Sequence, residues 1–248
     1  MASQVIPLSE GVFTIGHDKV FHPFNPNTDI LTERPTGSLL VEVQPFAIRH
    51  EHHVLLIDTG LGFHLNDGSY QLHHNLLEQG IHPNEVTHVL LSHLHKDHAG
   101  GAGILDAEGN RQAAFPNAHY YVSRKEFDFA IQKGVPSYIP SDFQWLEQFH
   151  GTHWLNETGQ IEDWLSYETL GGHCPFHLGF RFELNDGIYY FGGDVAPQLR
   201  QLKTKYQAKY DYDGKRSMEE RQRLFQLGTE AHWTFLFYHD VHQPLARL

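Results

Sequence analysis

The stretch Leu90–Gly101, LLSHLHKDHAGG, places three histidines and one aspartate within the six consecutive residues 93–98. The chain has 21 histidines among 248 residues, so coincidence must be considered first. From the composition, a chance match to H-x-H-x-D-H is expected in roughly 1% of such chains. The cluster therefore suggests a metal site, and its partners must come from elsewhere in the chain.

The composition argues against a nucleic-acid-binding or membrane protein and is compatible with a small-molecule substrate. A formal net charge of −12 argues against a nucleic-acid groove, where phosphate contacts need clustered lysine and arginine. The apolar runs are far shorter than a membrane span, and the N-terminal residues lack a secretory signal pattern. The single cysteine, Cys174, excludes an intramolecular disulfide and fits a reducing compartment. We therefore expect a cytoplasmic protein that acts on a small molecule and binds neither nucleic acid nor a membrane.

Apolar patterning along the chain predicts two mixed sheets with helices outside them. Runs of β-branched and aliphatic residues predict strands in SLLVEVQPFAIRH, HHVLLIDTG, VTHVLLSH, NAHYYVS, LSYETLGGH, LGFRFELND, IYYFGGD and WTFLFYHD. Helices are predicted in SYQLHHNLLEQG, RKEFDFAIQK and MEERQRLFQLG. Ser123 with Glu126, and Ser217 with Glu220, match the capping-box pattern and predict the starts of the second and third helices.

Residues suited to a site repeatedly follow a predicted strand. Asp58 follows VLLI, His93 follows VLLS, Asp194 follows YYFGG and His239 follows FLFY. Strand ends are rigid platforms, and the loops there carry functional residues. We therefore expect the site at these strand ends.

The residue types suit zinc, which prefers histidine nitrogen and carboxylate oxygen as ligands. His93 and His95 can reach one ion, while Asp97 and His98 point elsewhere and are available to a second. A carboxylate can also bridge two ions. Candidates to complete the two coordination spheres are His173 in LGGHCPFH, Asp194 in FGGDVAP and His239 in FYHDVHQP.

Five blocks of the chain, in this order, resemble the motifs of the metallo-β-lactamase superfamily. They are VLLIDTGLG, SHLHKDHAGG, GGHCPFHLG, YYFGGDVAP and LFYHDVHQ. The resemblance extends over roughly residues 37–243. It implies an α+β fold, a four-layer αβ/βα sandwich of two mixed sheets flanked by helices, formed as a single domain by residues 1–248.

The resemblance also implies the roles of the site residues and the cofactor. One metal ion would bind His93, His95 and His173; the other would bind Asp97, His98 and His239; Asp194 would bridge the two, and Asp58 would orient the cluster. The ions would be divalent, zinc in the first place, with iron or manganese as alternatives. A bridging hydroxide would attack an ester, lactone, thioester or phosphoester, and Asp97 would help to move the proton.

Within the superfamily, PNAHYYVSRKEFDFA and the YHD ending look most like the quorum-signal lactonase and organophosphate hydrolase branch. Those lactonases carry a tyrosine three residues after the bridging aspartate, where it assists the substrate carbonyl, and this chain has Pro197 there. Cys174 replaces the usual threonine or serine after the third-block histidine. The chain therefore departs from the tyrosine-assisted route to lactone hydrolysis.

Two other interpretations stay open. A mono-iron oxidoreductase similar to persulfide dioxygenases would be distinguished by its iron content and oxygen consumption. A metal-bearing binding protein without catalysis is the other, although the complete set of seven ligands argues against it. RNA processing is disfavoured by the acidic balance of the chain.

Overall fold

Two six-stranded sheets form the centre of the protein, which is described here by a computed structural model covering residues 2–106 and 108–248. The strands are β1 (Gln4–Pro7), β2 (Gly11–Ile15), β3 (Phe21–Pro23), β4 (Leu39–Val43), β5 (Phe46–His50), β6 (His53–Ile57), β7 (His88–Leu90), β8 (Gly103–Leu105), β9 (Arg111–Ala113), β10 (His119–Ser123), β11 (Thr152–Leu155), β12 (Thr158–Glu162), β13 (Leu165–Thr169), β14 (Leu178–Leu184), β15 (Gly187–Phe191), β16 (Thr234–Leu236) and β17 (Leu245–Arg247).

Six α-helices are described: α1 (Gln71–Glu78), α2 (Lys96–Ala99), α3 (Arg124–Lys133), α4 (Pro140–Phe143), α5 (Leu199–Leu202) and α6 (Gly214–Glu230). Short 3-10 turns lie at Leu31–Glu33, Pro83–Glu85, Gln144–Glu147 and Gly193–Val195. Within the described ranges, none of the helices is long and apolar enough to cross a membrane.

Each large sheet is mixed. The first has the order β1-β5-β6-β7-β10-β11, with β6, β7, β10 and β11 mutually parallel. The second has the order β12-β13-β14-β15-β16-β17, in which only the pair β15–β16 is parallel. A small sheet, β3-β2-β4, and the hairpin β8-β9 lie beside them.

The sheets pack face to face, and helices cover their outer faces. Because side chains alternate along a strand, Leu55 and Ile57 of β6 enter the core between the sheets, while Leu56 faces the layer that contains α1 and α3. On the second sheet, Phe235 packs outward in the cluster that contains Leu224 of α6. Fully burying such a side chain contributes about 1.5–3 kcal/mol. These layers confirm the predicted α+β sandwich of two mixed sheets flanked by helices.

The start of α3 agrees in part with the capping box predicted at Ser123, and the start of α6 differs from the one predicted at Ser217. Ser123 caps α3 by accepting a hydrogen bond from the backbone N–H of Glu126 (3.2 Å), but the Glu126 carboxylate turns inward and closes no capping box. The predicted start at Ser217 is wrong. The Asp213 side chain accepts from the N–H of Arg216 (3.0 Å) and begins α6 at Gly214, because aspartate is itself a strong N-cap residue.

The parallel pairs bring the predicted site residues together. In the first sheet β6 and β7 run side by side, with Leu55 opposite His88 and Ile57 opposite Leu90, so the loops after both strands leave at the same edge. In the second sheet β15 and β16 are also parallel neighbours, so the loops after them leave at one edge as well. Asp194 and His239, which follow these two strands, therefore lie next to each other.

Candidate metal centre

Three histidines from two loops converge on one point, which we call the first group. His93 and His95 come from the loop after β7, and His173 comes from the loop between β13 and β14. Their ligand nitrogens lie within 4.8 Å of one another. Nδ1 of His95 lies 3.0 Å from Nε2 of His93 and 3.0 Å from Nε2 of His173. The geometry brings together the three residues predicted for one ion.

A second group lies beside the first and consists of Asp97, His98 and His239, whose ligand atoms are also within 4.8 Å of one another. Oδ2 of Asp97 lies 3.6 Å from Nε2 of His98 and 3.5 Å from Nε2 of His239. Asp97 and His98 reach this point because the short helix α2 turns their side chains away from those of His93 and His95.

Asp194 lies between the two groups. Its Oδ1 is 3.2 Å from Nε2 of His98 and 3.0 Å from Nε2 of His239. Its Oδ2 is 3.2 Å from Nε2 of His173. One oxygen therefore faces each group, and all seven predicted ligands meet in a single buried centre. The backbone N–H of Asp194 donates to Nε2 of buried His177 (3.1 Å), which fixes the turn that carries the carboxylate.

Hydrogen bonds behind the rings set which nitrogen faces the centre. In three histidines Nδ1 contacts an oxygen that only accepts, so Nδ1 carries a proton and Nε2 is the nitrogen that faces the centre and is left to bind a cation. These pairs are His98 with Oδ2 of Asp58 (2.7 Å), His173 with Oδ1 of Asp211 (3.0 Å) and His239 with the carbonyl of Glu42 (2.6 Å).

Asp58 lies behind the cluster at the end of β6, where a residue that orients the cluster was expected from the sequence. Its carboxylate accepts hydrogen bonds from the backbone N–H and the hydroxyl of Ser92 (both 2.7 Å) as well as from His98. Its φ of +55° is in the left-handed region, which aspartate tolerates better than most residues. Burial raises the pKa of Asp58, although the contacts with His98 and Ser92 act in the opposite direction and lower it. Asp58 thus links the ends of β6 and β7 and orients one ring of the second group.

The side chains present fit two divalent cations. Nε2 of His98 and Oδ1 of Asp194 are buried, and neither has a hydrogen-bond partner among residues 2–106 and 108–248. An unsatisfied buried polar atom costs about 1–3 kcal/mol, and a shared cation would satisfy both. The contacts of 3.0–3.6 Å around Asp194 and Asp97 match the roughly 3.4 Å that separates two ligands of a tetrahedral zinc ion.

The electrostatics of the two groups agree with this fit. Burial lowers the pKa of His93 and His95 well below the ordinary value, and neighbouring imidazoles lower it further, so both rings present lone pairs. For His98, burial opposes the charged form, but Asp194 and Asp97 outweigh it and hold its pKa well above the ordinary value. The second group therefore favours positive charge in its centre.

Glu126 lies beside the centre, but the sequence pattern did not indicate a functional role for it. The buried carboxylate of Glu126 accepts from the backbone N–H of Leu94 (3.4 Å), the hydroxyl of Tyr138 (3.1 Å) and the thiol of Cys174 (3.3 Å). It thereby ties the loop of His93 and His95 to the loop of His173. Its spacing from Ser123 predicted a capping role, and nothing in the local pattern signalled these distant contacts.

Cys174 is a buried thiol. Burial, and then Glu126, raise its pKa well above the ordinary value, so it stays protonated as a donor to Glu126. Asp211, which supports His173, was likewise not singled out, because it lies 38 residues away in a loop rich in tyrosine and aspartate.

A cavity of about 480 Å³ opens over the centre. His95, Asp97, His173, Asp194 and His239 form its floor. Its walls combine apolar and aromatic side chains, such as Phe21, Val41, Phe129 and Tyr210, with polar ones that include Lys19, Lys96 and Lys133. The site can therefore present its carboxylate and imidazole groups to a small, partly apolar molecule.

Comparisons with known proteins agree with this architecture. Residues 41–239 match the sequence profile of the Metallo-beta-lactamase superfamily. The N-acyl homoserine lactonase AttM of Azorhizobium caulinodans is 30% identical over 118 residues, which are 42% of this chain and 39% of that protein. Ribonuclease Z of Staphylococcus aureus is 25% identical over 167 residues, which are 67% of this chain and 45% of that protein. The chain thus matches less than half the length of either relative.

Solved structures show the same fold. A probable metal-dependent hydrolase from Staphylococcus aureus superimposes with a TM-score of 0.79 at 19% identity, covering 99% of this chain and 92% of that one. AidC, a dizinc quorum-quenching lactonase in complex with a homoserine product, superimposes with a TM-score of 0.75 at 17% identity, covering 99% and 90%. At these identities the likeness concerns the fold alone.

Proposed function

Because the chain belongs to the metallo-beta-lactamase superfamily, we propose that it is a metal-dependent hydrolase of small molecules that carry an ester, lactone, thioester or phosphoester group. The observation that carries the proposal is the position of Asp194, with one oxygen toward each group on the floor of an open cavity. A binding protein without catalysis would not need both groups to face a substrate cavity. We further propose that residues 1–248 act as a single domain.

The seven residues would hold two ions, zinc in the first place, with iron or manganese as alternatives that accept the same nitrogen and oxygen donors. The first group would hold one ion, the second group would hold the other, and Asp194 would bind both. When bound, such cations would lower the pKa of water toward neutral and polarise the substrate oxygen. With water activated in this way, the reaction would need no serine or cysteine nucleophile. The raised pKa of the Cys174 thiol, which keeps it protonated, agrees with this.

Asp97 is the carboxylate proposed to move the proton. It lines the cavity, and its Oδ2 faces the second group, which leaves Oδ1 as the atom available to take a proton from the attacking water and pass it to the leaving group. The hydroxyl of buried Tyr238 donates to the backbone carbonyl of Asp97 (2.6 Å). This contact holds the residue in place while its carboxylate exchanges the proton.

Tyr210 offers a hydroxyl in a cavity where the lactonase tyrosine is replaced by Pro197. The Tyr210 ring lines the same cavity, with its centroid 6.1 Å from that of His173. Burial raises its pKa, so it stays protonated. The neighbouring Tyr206 raises that pKa further, and we infer that the substrate carbonyl accepts a hydrogen bond from the Tyr210 hydroxyl. Tyr210 would then assist the substrate carbonyl as the lactonase tyrosine does, from a different position in the chain.

The decisive experiment follows the source of the oxygen in the product. The metal-loaded protein is given a panel of lactone, thioester and phosphotriester substrates in ¹⁸O-labelled water, in air and under argon. We expect one solvent oxygen in the product acid or phosphate, and the same rate without O₂. Turnover that stops without O₂, in protein with one iron per chain, would replace the hydrolase by the mono-iron dioxygenase.

Variants of the second group sharpen this test. His98→Ala and His239→Ala should each lower the hydrolytic rate by several orders of magnitude, because they remove ligands of one ion. His242→Ala is the matched control, since His242 lies three residues from His239 but is exposed and outside both groups. Full activity in His98→Ala and His239→Ala would show that the second group takes no part in the reaction.

A further inference from the structure

A row of histidines lies at the end of the first sheet opposite the metal centre. His50, His53, His88, His119 and His153 belong to the neighbouring strands β5, β6, β7, β10 and β11. β6 begins at His53 and ends just before Asp58, and five residues of extended strand span roughly 16 Å. None of these histidines belongs to the two groups described above, so their clustering calls for its own explanation.

Two of these histidines and one carboxylate form a compact donor set. The ligand atoms of His53, His88 and Glu162 lie within 4.8 Å of one another. Nε2 of His88 lies 3.3 Å from Oε1 of Glu162, which is close to the roughly 3.4 Å between two ligands of a tetrahedral zinc ion. The rings of His53 and His88 are in edge contact, with centroids 5.1 Å apart.

The three side chains come from both sheets. His53 lies on the same face of β6 as Leu55 and Ile57, and His88 lies on the same face of β7 as Leu90. The side chains of these three hydrophobic residues lie in the core between the sheets. Glu162 ends β12 at the edge of the second sheet. The donor set therefore closes this end of the gap between the sheets, where the indole of Trp164 also packs against His53 (centroids 5.7 Å apart).

The hydrogen bonds of Thr87 determine which nitrogen of His88 carries the proton. The Thr87 hydroxyl donates to the carbonyl of Val54 (3.0 Å), and its oxygen lies 2.8 Å from Nδ1 of His88. Since the hydroxyl proton is already engaged, Nδ1–H of His88 must donate to that oxygen. Nε2 of the neutral ring then directs its lone pair at Oε1 of Glu162. The 3.3 Å contact is a hydrogen bond when Nε2 carries a proton, and a cation in place of that proton would bind both atoms.

We propose that His53, His88 and Glu162 bind a further divalent transition-metal ion, with zinc as the best-fitting ion, which ties the two sheets together at the end remote from the metal centre. Two histidines and one glutamate are an established zinc ligand set that leaves a fourth position for water. Thr87 supplies the contact behind the ring that such ligands commonly have. The partly exposed side chain of Glu162 (34%) gives the ion a path from solvent.

Metal content measures this site independently of catalysis. Protein without a histidine tag is dialysed against micromolar Zn²⁺, and zinc per chain is determined by mass spectrometry for wild type, Glu162→Gln and the double variant His53→Gln/Glu162→Gln. We expect both variants to hold one ion fewer than wild type, with unchanged circular dichroism and unchanged hydrolytic activity. The difference of one ion is expected whether or not the proposed hydrolase centre fills, so the two proposals fail separately.

A second readout and a matched control complete the test. Added Zn²⁺ should raise the melting temperature of wild type over that of the double variant by on the order of 5 °C. His153→Gln is the control, because His153 lies in the same row but outside the donor set, paired with His119 (3.0 Å). If wild type and the double variant contain equal zinc, the three residues bind no ion and the cluster is an ordinary histidine–carboxylate contact. An equal loss in His153→Gln would overturn the assignment to these three residues.

Discussion

Replacing Asp58 by asparagine tests whether the contacts behind the rings hold the metal centre in its binding form. The substitution keeps the shape of the side chain, and its carbonyl can still accept from the N–H of Ser92 (2.7 Å). The new amide group, however, faces Nδ1–H of His98, which the carboxylate accepts at 2.7 Å. Two donors then meet in a site that is fully buried.

The size of the effect follows from this mismatch. A buried donor left without its acceptor costs about 1–3 kcal/mol, which corresponds to a roughly 5- to 150-fold loss of affinity at about 1.4 kcal/mol per factor of ten. If His98 instead changes tautomer to accept from the amide, its Nε2 carries the proton and no longer offers a lone pair. Losses of about 10- to 100-fold in metal affinity are typical when such a supporting residue is changed.

The measurement is a zinc competition titration with a chromophoric chelator, in which the two ions are resolved by their affinities. We expect Asp58→Asn to weaken the ion of the second group and to leave the ion of the first group nearly unchanged. Asp211→Asn is the matched comparison, because Asp211 supports His173 and should weaken the other ion. If Asp58→Asn binds both ions as wild type does, the argument from ring tautomers is wrong; equal weakening of both would mean that Asp58 supports only the fold.

Three further outcomes are expected. Cys174→Ser should keep metal content and most activity, because a hydroxyl can also donate to Glu126, whereas Cys174→Ala leaves a carboxylate oxygen without its donor and should cost about 1–3 kcal/mol in urea unfolding. Burial raises the pKa of Glu10 to about 8, so the folded state keeps a proton that the unfolded chain releases near 4.5, and stability falls as pH rises between these values. Glu10→Gln should therefore gain about 2–3 kcal/mol relative to wild type between about pH 6 and about pH 9; a constant difference would contradict the raised pKa. Tyr210→Phe should lower kcat about 10- to 100-fold with little change in KM if its hydroxyl stabilises the reacting carbonyl oxygen; a change in KM alone would assign it to binding.

That the residues of the candidate centre come together could be predicted from the sequence, because their spacing is local or the strands before them are strongly apolar. His93, His95, Asp97 and His98 lie in one turn of chain, and Asp194 and His239 each follow a run of buried residues. Glu126 could not be recognised in this way, because its partners lie 32 and 48 residues away and its spacing from Ser123 fits a capping box equally well. The start of α6 was misplaced for a related reason, since Asp213 and Ser217 are competing N-cap signals that only the tertiary packing separates.

The position of the candidate centre explains why its proposed ligands are spread over most of the chain. The loop and short helix after β7 of the first sheet carry His93, His95, Asp97 and His98, whereas the segments next to β14, β15 and β16 of the second sheet carry His173, Asp194 and His239. An ion held by both sets can bind tightly only while the two sheets keep their packing, so metal affinity at the centre depends on the core between them. The donor set of His53, His88 and Glu162 lies at the opposite end of that core and also draws on both sheets. An ion there would oppose rotation of one sheet against the other, which is the motion that would pull Asp194 away from His98. The proposed distal ion would thus add to the stability of the packing between the two sheets, which the melting temperature measures, without contacting the substrate.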